Sequence, residues 1–101
     1  RMQVFHWHDA DRIDPAGSIL LDVRTKKEFE KGTLKGAVNI PLDSLRDRLD
    51  ELDRDKPVYV FCRIGQRGYI ASRILMQKGF REVYNLSGGY RLYRMVSSPT
   101  G

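Results

Sequence analysis

The chain has 101 residues, with 18 Lys and Arg against 13 Asp and Glu, a formal charge of +5 with both histidines neutral. At 41% apolar and 31% charged residues it has the balance of one globular domain, not of a disordered tail or of two separate cores. No apolar run approaches the roughly 18 residues of a membrane-spanning helix, and one cysteine excludes both an internal disulfide and a Cys/His-rich structural zinc site.

The opening residues, RMQVFHWHDADRID, lack the apolar stretch of a secretory signal. With the lone cysteine, this sets the expectation of a reducing, cytoplasmic location. Position 1 is not Met, which leaves open that the chain is a trimmed piece of a longer polypeptide. Val4–Trp7 reads as a first strand. His6 and His8 share a face of it, but no third ligand is in view, so they read as surface histidines and no metal is expected. Ser18–Val23 (SILLDV) is a near-continuous apolar run, the mark of a strand covered on both faces. Thr25 offers an N-cap, and Glu28 three residues later completes a capping box for a short helix ending at Gly32. Ala37–Ile40 is a third strand, stopped by Pro41.

Leu42, Leu45, Leu49 and Leu52 recur at intervals of three, four and three, which predicts one apolar stripe on a helix. Pro57 precedes another strand, Val58–Phe61 (VYVF). From Arg67 to Lys78, Ile70, Ala71, Ile74 and Leu75 fall on one helical face, and Gly79 supplies the stop. Val83–Leu86 is the last strand, Ser87-Gly88-Gly89 a turn, Tyr90–Val96 a final helix, and residues 97–101 a frayed end. Strands alternating with amphipathic helices predict an α/β layer architecture. With no repeat, linker or low-complexity block, residues 1–101 read as one domain.

Charge is unevenly placed. Residues 1–55 carry a slight negative balance of −2. Residues 56–101 hold Lys56, Arg63, Arg67, Arg73, Lys78, Arg81, Arg91 and Arg94 against Glu82 alone, a balance of +7. A field of that sign draws anions. No recognition helix or interleaved aromatic platform accompanies it, so nucleic acid is not the expected partner.

In parallel α/β sheets, ligands bind beyond the carboxyl ends of the strands. The run Cys62-Arg63-Ile64-Gly65-Gln66-Arg67-Gly68 occupies such an end, one residue past VYVF and just before a helix. Gly65 and Gly68 permit positive φ or close backbone approach, so amide N–H groups can turn inward as an anion nest. The helix N-terminus adds partial positive charge, and Arg63 and Arg67 add whole ones. All three favour a thiolate, the state a nucleophile or sulfur carrier needs. Free cysteines are often buried packing residues, but two arginines and two glycines flank this one.

Taken in order, Asp22-Val23-Arg24, Glu28-Phe29, Gly32, Gly36-Ala37, Asn39-Ile40-Pro41-Leu42, Cys62-x-x-Gly65-x-Arg67 and Leu86-x-Gly88-Gly89 resemble the rhodanese (sulfurtransferase) domain over residues 9–96. The wording and length also resemble the rhodanese domain fused to the C-terminus of coenzyme A-disulfide reductases and related flavoprotein persulfide reductases. The resemblance implies a single rhodanese-like domain with a five-stranded, mainly parallel sheet and helices on both faces. It assigns Cys62 as the residue that becomes a persulfide, the covalent intermediate of a reaction that needs no cofactor. Loop residues Arg63, Ile64, Gly65, Gln66, Arg67 and Gly68 would bind substrate, with Asp22, Arg24 and Glu28 in support.

Several of these roles have plainer readings. Asp22 can accept backbone N–H bonds, and Arg24 and Glu28, four apart, can simply pair on the helix. Gly88 and Gly89 either keep a cleft uncrowded or make a turn. Tyr90 stands where the family often has Trp, and Thr33 where it often has His.

The function implied is transfer of sulfane sulfur from thiosulfate or a small persulfide to a thiol or cyanide. Its partners would be small anionic donors and thiol acceptors, with coenzyme A or a flavoprotein reductase among them. The alternative is a docking, sulfur-carrier or persulfide-sensing module without turnover. Cysteine phosphatases space their loop as C-x5-R; the C-x4-R spacing here makes a smaller ring, suited to one sulfur atom over a phosphate.

Overall fold

The structure, a computed structural model, describes residues 3–5, 13–14, 16–86 and 88–92. Its strands are β1 (Gln3–Phe5), β2 (Ile19–Asp22), β3 (Val38–Asn39), β4 (Val58–Phe61) and β5 (Val83–Leu86). They form a five-stranded sheet in the order β1-β5-β4-β2-β3, and all four pairings are parallel. The register of β2 on β4 runs from Ile19 opposite Val58 to Asp22 opposite Phe61, so the two strands end level with each other. Both histidines of the N-terminal segment and the frayed end expected at 97–101 lie outside the described residues.

The helices are α1 (Lys26–Lys31), α2 (Leu42–Leu45), α3 (Gln66–Gln77) and a final turn, α4, over residues 89–92. Thr25 caps α1 as its residue type predicts: its hydroxyl accepts the Glu28 N–H at 3.3 Å, and the Glu28 carboxylate accepts the Thr25 N–H at 3.1 Å. The single helix expected from Leu42 to Leu52 does not form. The chain makes one turn over Leu42–Leu45 and a separate 3-10 turn over Leu49–Glu51. Its N–H groups bond three residues back, from Ser44 to Pro41, Asp47 to Ser44, Arg48 to Leu45 and Glu51 to Arg48. Asp43, Ser44, Asp47 and Asp50 weaken an α-helix here because such side chains compete for backbone groups. Leu45, Leu49 and Leu52 are buried all the same. A leucine every three or four residues suits either pitch.

Alternation along the strands builds two cores. Leu21, Val58, Val60 and Val83 face α2, the 3-10 turn and α3, where they meet Leu45, Leu49, Ala71, Ile74 and Leu75. Leu20, Phe61 and Leu86 face the other side, closed by Leu34 with Ile13, Ala37 and Tyr90. Burial on both faces is why these strands read as unbroken apolar runs. On the second face Tyr59 and Tyr84, opposite one another in register, stack with centroids 4.7 Å apart.

Candidate active site

Cys62 follows the last residue of β4, and its side chain joins Val60 in the first core with no exposed surface. The chain then turns through residues 63–65 and enters α3. Gly65 is the N-cap of that helix at φ 106°, in the left-handed region. An added Cβ there would meet nothing within 4 Å, so the requirement for glycine is conformational, not spatial. This conformation carries the Gly65 N–H to 3.0 Å from Cys62 Sγ, as donor to the sulfur. The N–H groups of Gln66, Arg67 and Gly68 lie in the first turn of α3, where a helix has no internal partners for them. They carry the positive end of a 12-residue helix. The sulfur thus has one backbone donor, Gly65 N–H, aimed at it from the head of α3.

The base of the loop is pinned from the other side. Tyr90 and Arg91 donate their backbone N–H groups to the carbonyls of Cys62 and Arg63, at 2.7 and 2.9 Å. A Cβ on Gly89 would lie 2.6 Å from both carbonyl oxygens. Gly89 is therefore glycine because α4 and the loop touch backbone to backbone, a stronger reason than a turn or an open cleft. Asn85, on β5, gave no signal in the sequence. Its Nδ2 donates to the Gly65 carbonyl at 3.3 Å, and its Oδ1 is buried without a partner. A Cβ on Gly68 would collide with that Oδ1, so Gly68 packs beneath the loop on Asn85. Ile64, 52% exposed, and Gln66 lie on the outer rim.

The supporting charges pair differently from the spacing argument. Arg24 does not meet Glu28. Its Nη2 lies 2.8 Å from Asp22 Oδ2, its Nε and backbone N–H also donate to that carboxylate, and its Nη2 donates to the Gly32 carbonyl at 2.7 Å. The fully buried Asp22 draws the guanidinium inward, 4.3 Å from the centre of the Tyr90 ring. Thr33 Oγ1 donates to Asp22 as well, at 2.9 Å, so Thr33 belongs to the buried cluster.

Glu28 instead accepts both Arg67 Nη groups, at 2.8 and 3.1 Å. The Arg67 hydrogen bond, helped by the Thr25 N–H, outweighs burial and holds the Glu28 carboxyl down at about 2. Arg67 is pushed up in turn, first by Glu28, with Cys62 and Asp22 adding weaker attraction. Arg67 is thus committed to Glu28. Arg63, exposed beside Cys62, is the loop's cation without a carboxylate partner among the described residues. A pocket of about 340 Å³ opens next to it, bounded by Arg24, Glu28, Lys31 and Gly32 on one side and Tyr90 and Arg91 on the other. Among the described residues no group of three or more His, Cys, Asp or Glu is placed to hold a metal, and no helix is long and apolar enough to cross a membrane.

Residues 7–95 match the family model of the rhodanese-like domain. The thiosulfate sulfurtransferase GlpE of Pseudomonas syringae is 34% identical over 85 residues, covering 84% of this chain and 80% of that one. The reduced Bacillus anthracis CoADR-RHD structure is 48% identical at a TM-score of 0.87, over 94% of this chain and 17% of the larger one. A NAD-dependent persulfide reductase from A. fulgidus is 36% identical at a TM-score of 0.71, over 89% of this chain and 15% of that one. Among other curated relatives the chain spans 57% of one and 21% of another, so it corresponds to part of several longer proteins.

Proposed function

Since the chain belongs to the rhodanese-like domain family, we propose that it is a sulfurtransferase in which Cys62 carries the sulfur. The observation that carries this reading is the Gly65 N–H aimed at Cys62 Sγ from 3.0 Å, at the head of α3. The name of its GlpE relative points the same way.

In the first half-reaction the Cys62 thiolate attacks the outer sulfur of thiosulfate. The sulfur–sulfur bond breaks, sulfite leaves with the bonding pair, and Cys62–S–S⁻ remains. In the second, an acceptor thiolate attacks the outer sulfur and Cys62 departs as thiolate. No external oxidant or reductant enters either step. Two covalent half-reactions give ping-pong kinetics. Loop amides stabilise the negative sulfur in both, and donors to an anion are roughly twice as strong as neutral ones. Cys62 is buried, so a donor reaches its sulfur only when the groups covering it give way. Arg63 supplies the charge that gathers anionic donors; Arg67 acts through Glu28 to fix the start of α3. A persulfide reductase, fused or separate, is the partner this reading gives the domain, in keeping with its likeness to a NAD-dependent persulfide reductase.

Cys62→Ser is expected to abolish sulfur transfer from thiosulfate to cyanide while the far-ultraviolet circular dichroism spectrum stays unchanged. Mass spectrometry after incubation with thiosulfate should show one added sulfur on the native protein and none on the variant. Turnover retained by Cys62→Ser overturns the assignment. A persulfide that forms but passes to no thiol or cyanide makes the domain a carrier or sensor instead.

A further inference from the structure

Two peptide units meet at Gly65. The first carries the N–H that donates to Cys62 Sγ. The second carries the carbonyl, which accepts from Tyr69 N–H at 2.9 Å and from Asn85 Nδ2 at 3.3 Å. Nothing lies within 4 Å of the place where a Gly65 Cβ would stand, so packing there does not hold its φ of 106°. Glycine turns freely about that bond. Its angles are held from the two ends instead, by the sulfur on one peptide and by the Asn85 amide and the helix on the other.

The sheet puts Asn85 in reach. It shares its face of β5 with Val83, which packs in the first core beneath α3, and it lies opposite Val60, two residues before Cys62. Gly68 leaves room for the amide, since a Cβ there would collide with Asn85 Oδ1. With Oδ1 against Gly68, Nδ2 is the end that faces the Gly65 carbonyl. The reverse orientation would set two acceptors against each other. Oδ1 is left buried without a partner, a cost in stability that an apolar side chain would avoid. What the amide supplies in return is one donor aimed at the loop.

A trans peptide is planar, with its C=O and N–H opposed. Holding the Gly65 carbonyl along α3 therefore turns the Gln66 N–H outward from the head of the helix, the end at which Cys62 lies. We propose that Asn85 is a positioning residue for sulfur transfer: by fixing the Gly65–Gln66 peptide it keeps the Gly65 N–H on the Cys62 sulfur while that sulfur is charged. The effect on rate rests on the sulfurtransferase reading; the effect on the Cys62 thiol does not. Asn85 lies beneath the loop and Arg63 on its exposed side. Removing the amide therefore acts on the rate at saturation and not on the capture of thiosulfate.

Asn85→Ala removes the amide, and Asn85→Val removes it with a side chain suited to a strand. Neither adds a charge, and the charged groups around the loop, Arg63, Arg67, Asp22 and Glu28, stay in place in both. Single-turnover loading at saturating thiosulfate should slow about tenfold in each variant, with KM within about twofold of the native value. The chain has one cysteine, so ultraviolet thiolate absorbance, less that of Cys62→Ser, reads Cys62 alone and needs no sulfur transfer. Its pH midpoint should rise by about one unit in both variants, the counterpart of a tenfold change. A purely structural Asn85 would shift the urea midpoint and leave the loading rate and the thiolate midpoint of the folded protein unchanged; that result overturns the inference. A loss confined to KM overturns it as well. Should Asn85→Ala fail to fold, Asn85→Val decides by the same two readings. If the native chain takes up no sulfur from thiosulfate, the sulfurtransferase reading has failed, and the thiolate midpoint alone decides the role of Asn85.

Discussion

Glu28 has two roles, only one of which its local sequence announces. As the fourth member of a Thr25-x-x-Glu28 capping box it closes the first turn of α1. Its carboxylate also reaches 39 positions along the chain to Arg67, at the start of α3. Because its folded pKa is depressed to about 2, the pair stabilises the native state above the carboxyl's ordinary value, near 4.5. The contribution is lost as pH falls from there toward 2. Glu28→Gln should therefore lose about 0.5–1 kcal/mol at pH 7, a magnitude held down by partial solvent exposure of both groups. The deficit should shrink as the acid limb is descended. Urea midpoints measured from pH 7 to pH 3 check this, and a deficit that stays constant with pH would remove the ion pair as its cause. Cys62 and Gly65 were legible from their neighbours, because a glycine three residues past a strand-end cysteine answers to local backbone chemistry. Asn85 was not. A lone Asn in a strand has no pattern, and its role depends on β5 lying beside β4.

Between elements, α4 and the Cys62 loop meet backbone to backbone. The two glycines after β5 are readable as a turn, but the contact that fixes Gly89 comes from carbonyls 26 or 27 residues away in sequence. Gly89→Ala combines a φ of +67° that alanine adopts at a cost with a Cβ 2.6 Å from two oxygens. It should destabilise the domain by about 2–4 kcal/mol. Because the Tyr90 and Arg91 N–H groups hold the loop, sulfur transfer should also fall at temperatures where the variant remains folded. Urea denaturation gives the first number and initial rates below the transition give the second; a stable, fully active variant would mean the contact is slack. The leucine stripe at 42–52 teaches a complementary point. Its period located the buried side chains correctly but could not choose between one helix and two short turns. Burial rewards position, while Asp and Ser decide how the backbone satisfies its own groups.

Across the whole molecule the dominant electrostatic feature is the excess of +7 in residues 56–101, part of which surrounds the loop. A domain that gathers anionic donors by this field should show kcat/KM for thiosulfate falling severalfold as salt rises from 0.01 to 0.5 M. The Debye length shrinks from about 30 Å toward 4 Å over that range. Initial rates across a sodium chloride series at fixed pH test this, and a flat profile would leave the charge without a role in capture. Parallel order in the sheet brings the ends of β2 and β4 level, so residues from α1, the Cys62 loop and α4 share one rim although they span residues 24–91.

By itself the sequence determined the strands, the capped helix and the glycine that turns an amide toward Cys62. Each of these is written in periodicity or in residues a few positions apart, where the chain's own geometry leaves few choices. Only the tertiary structure decided which charges are spent on one another and which stay open. Asp22 took Arg24, Glu28 took Arg67, and Lys31, Arg63 and Arg91 were left around a cavity. Coulomb attraction depends on distance in space, and that distance exists only after the elements have packed.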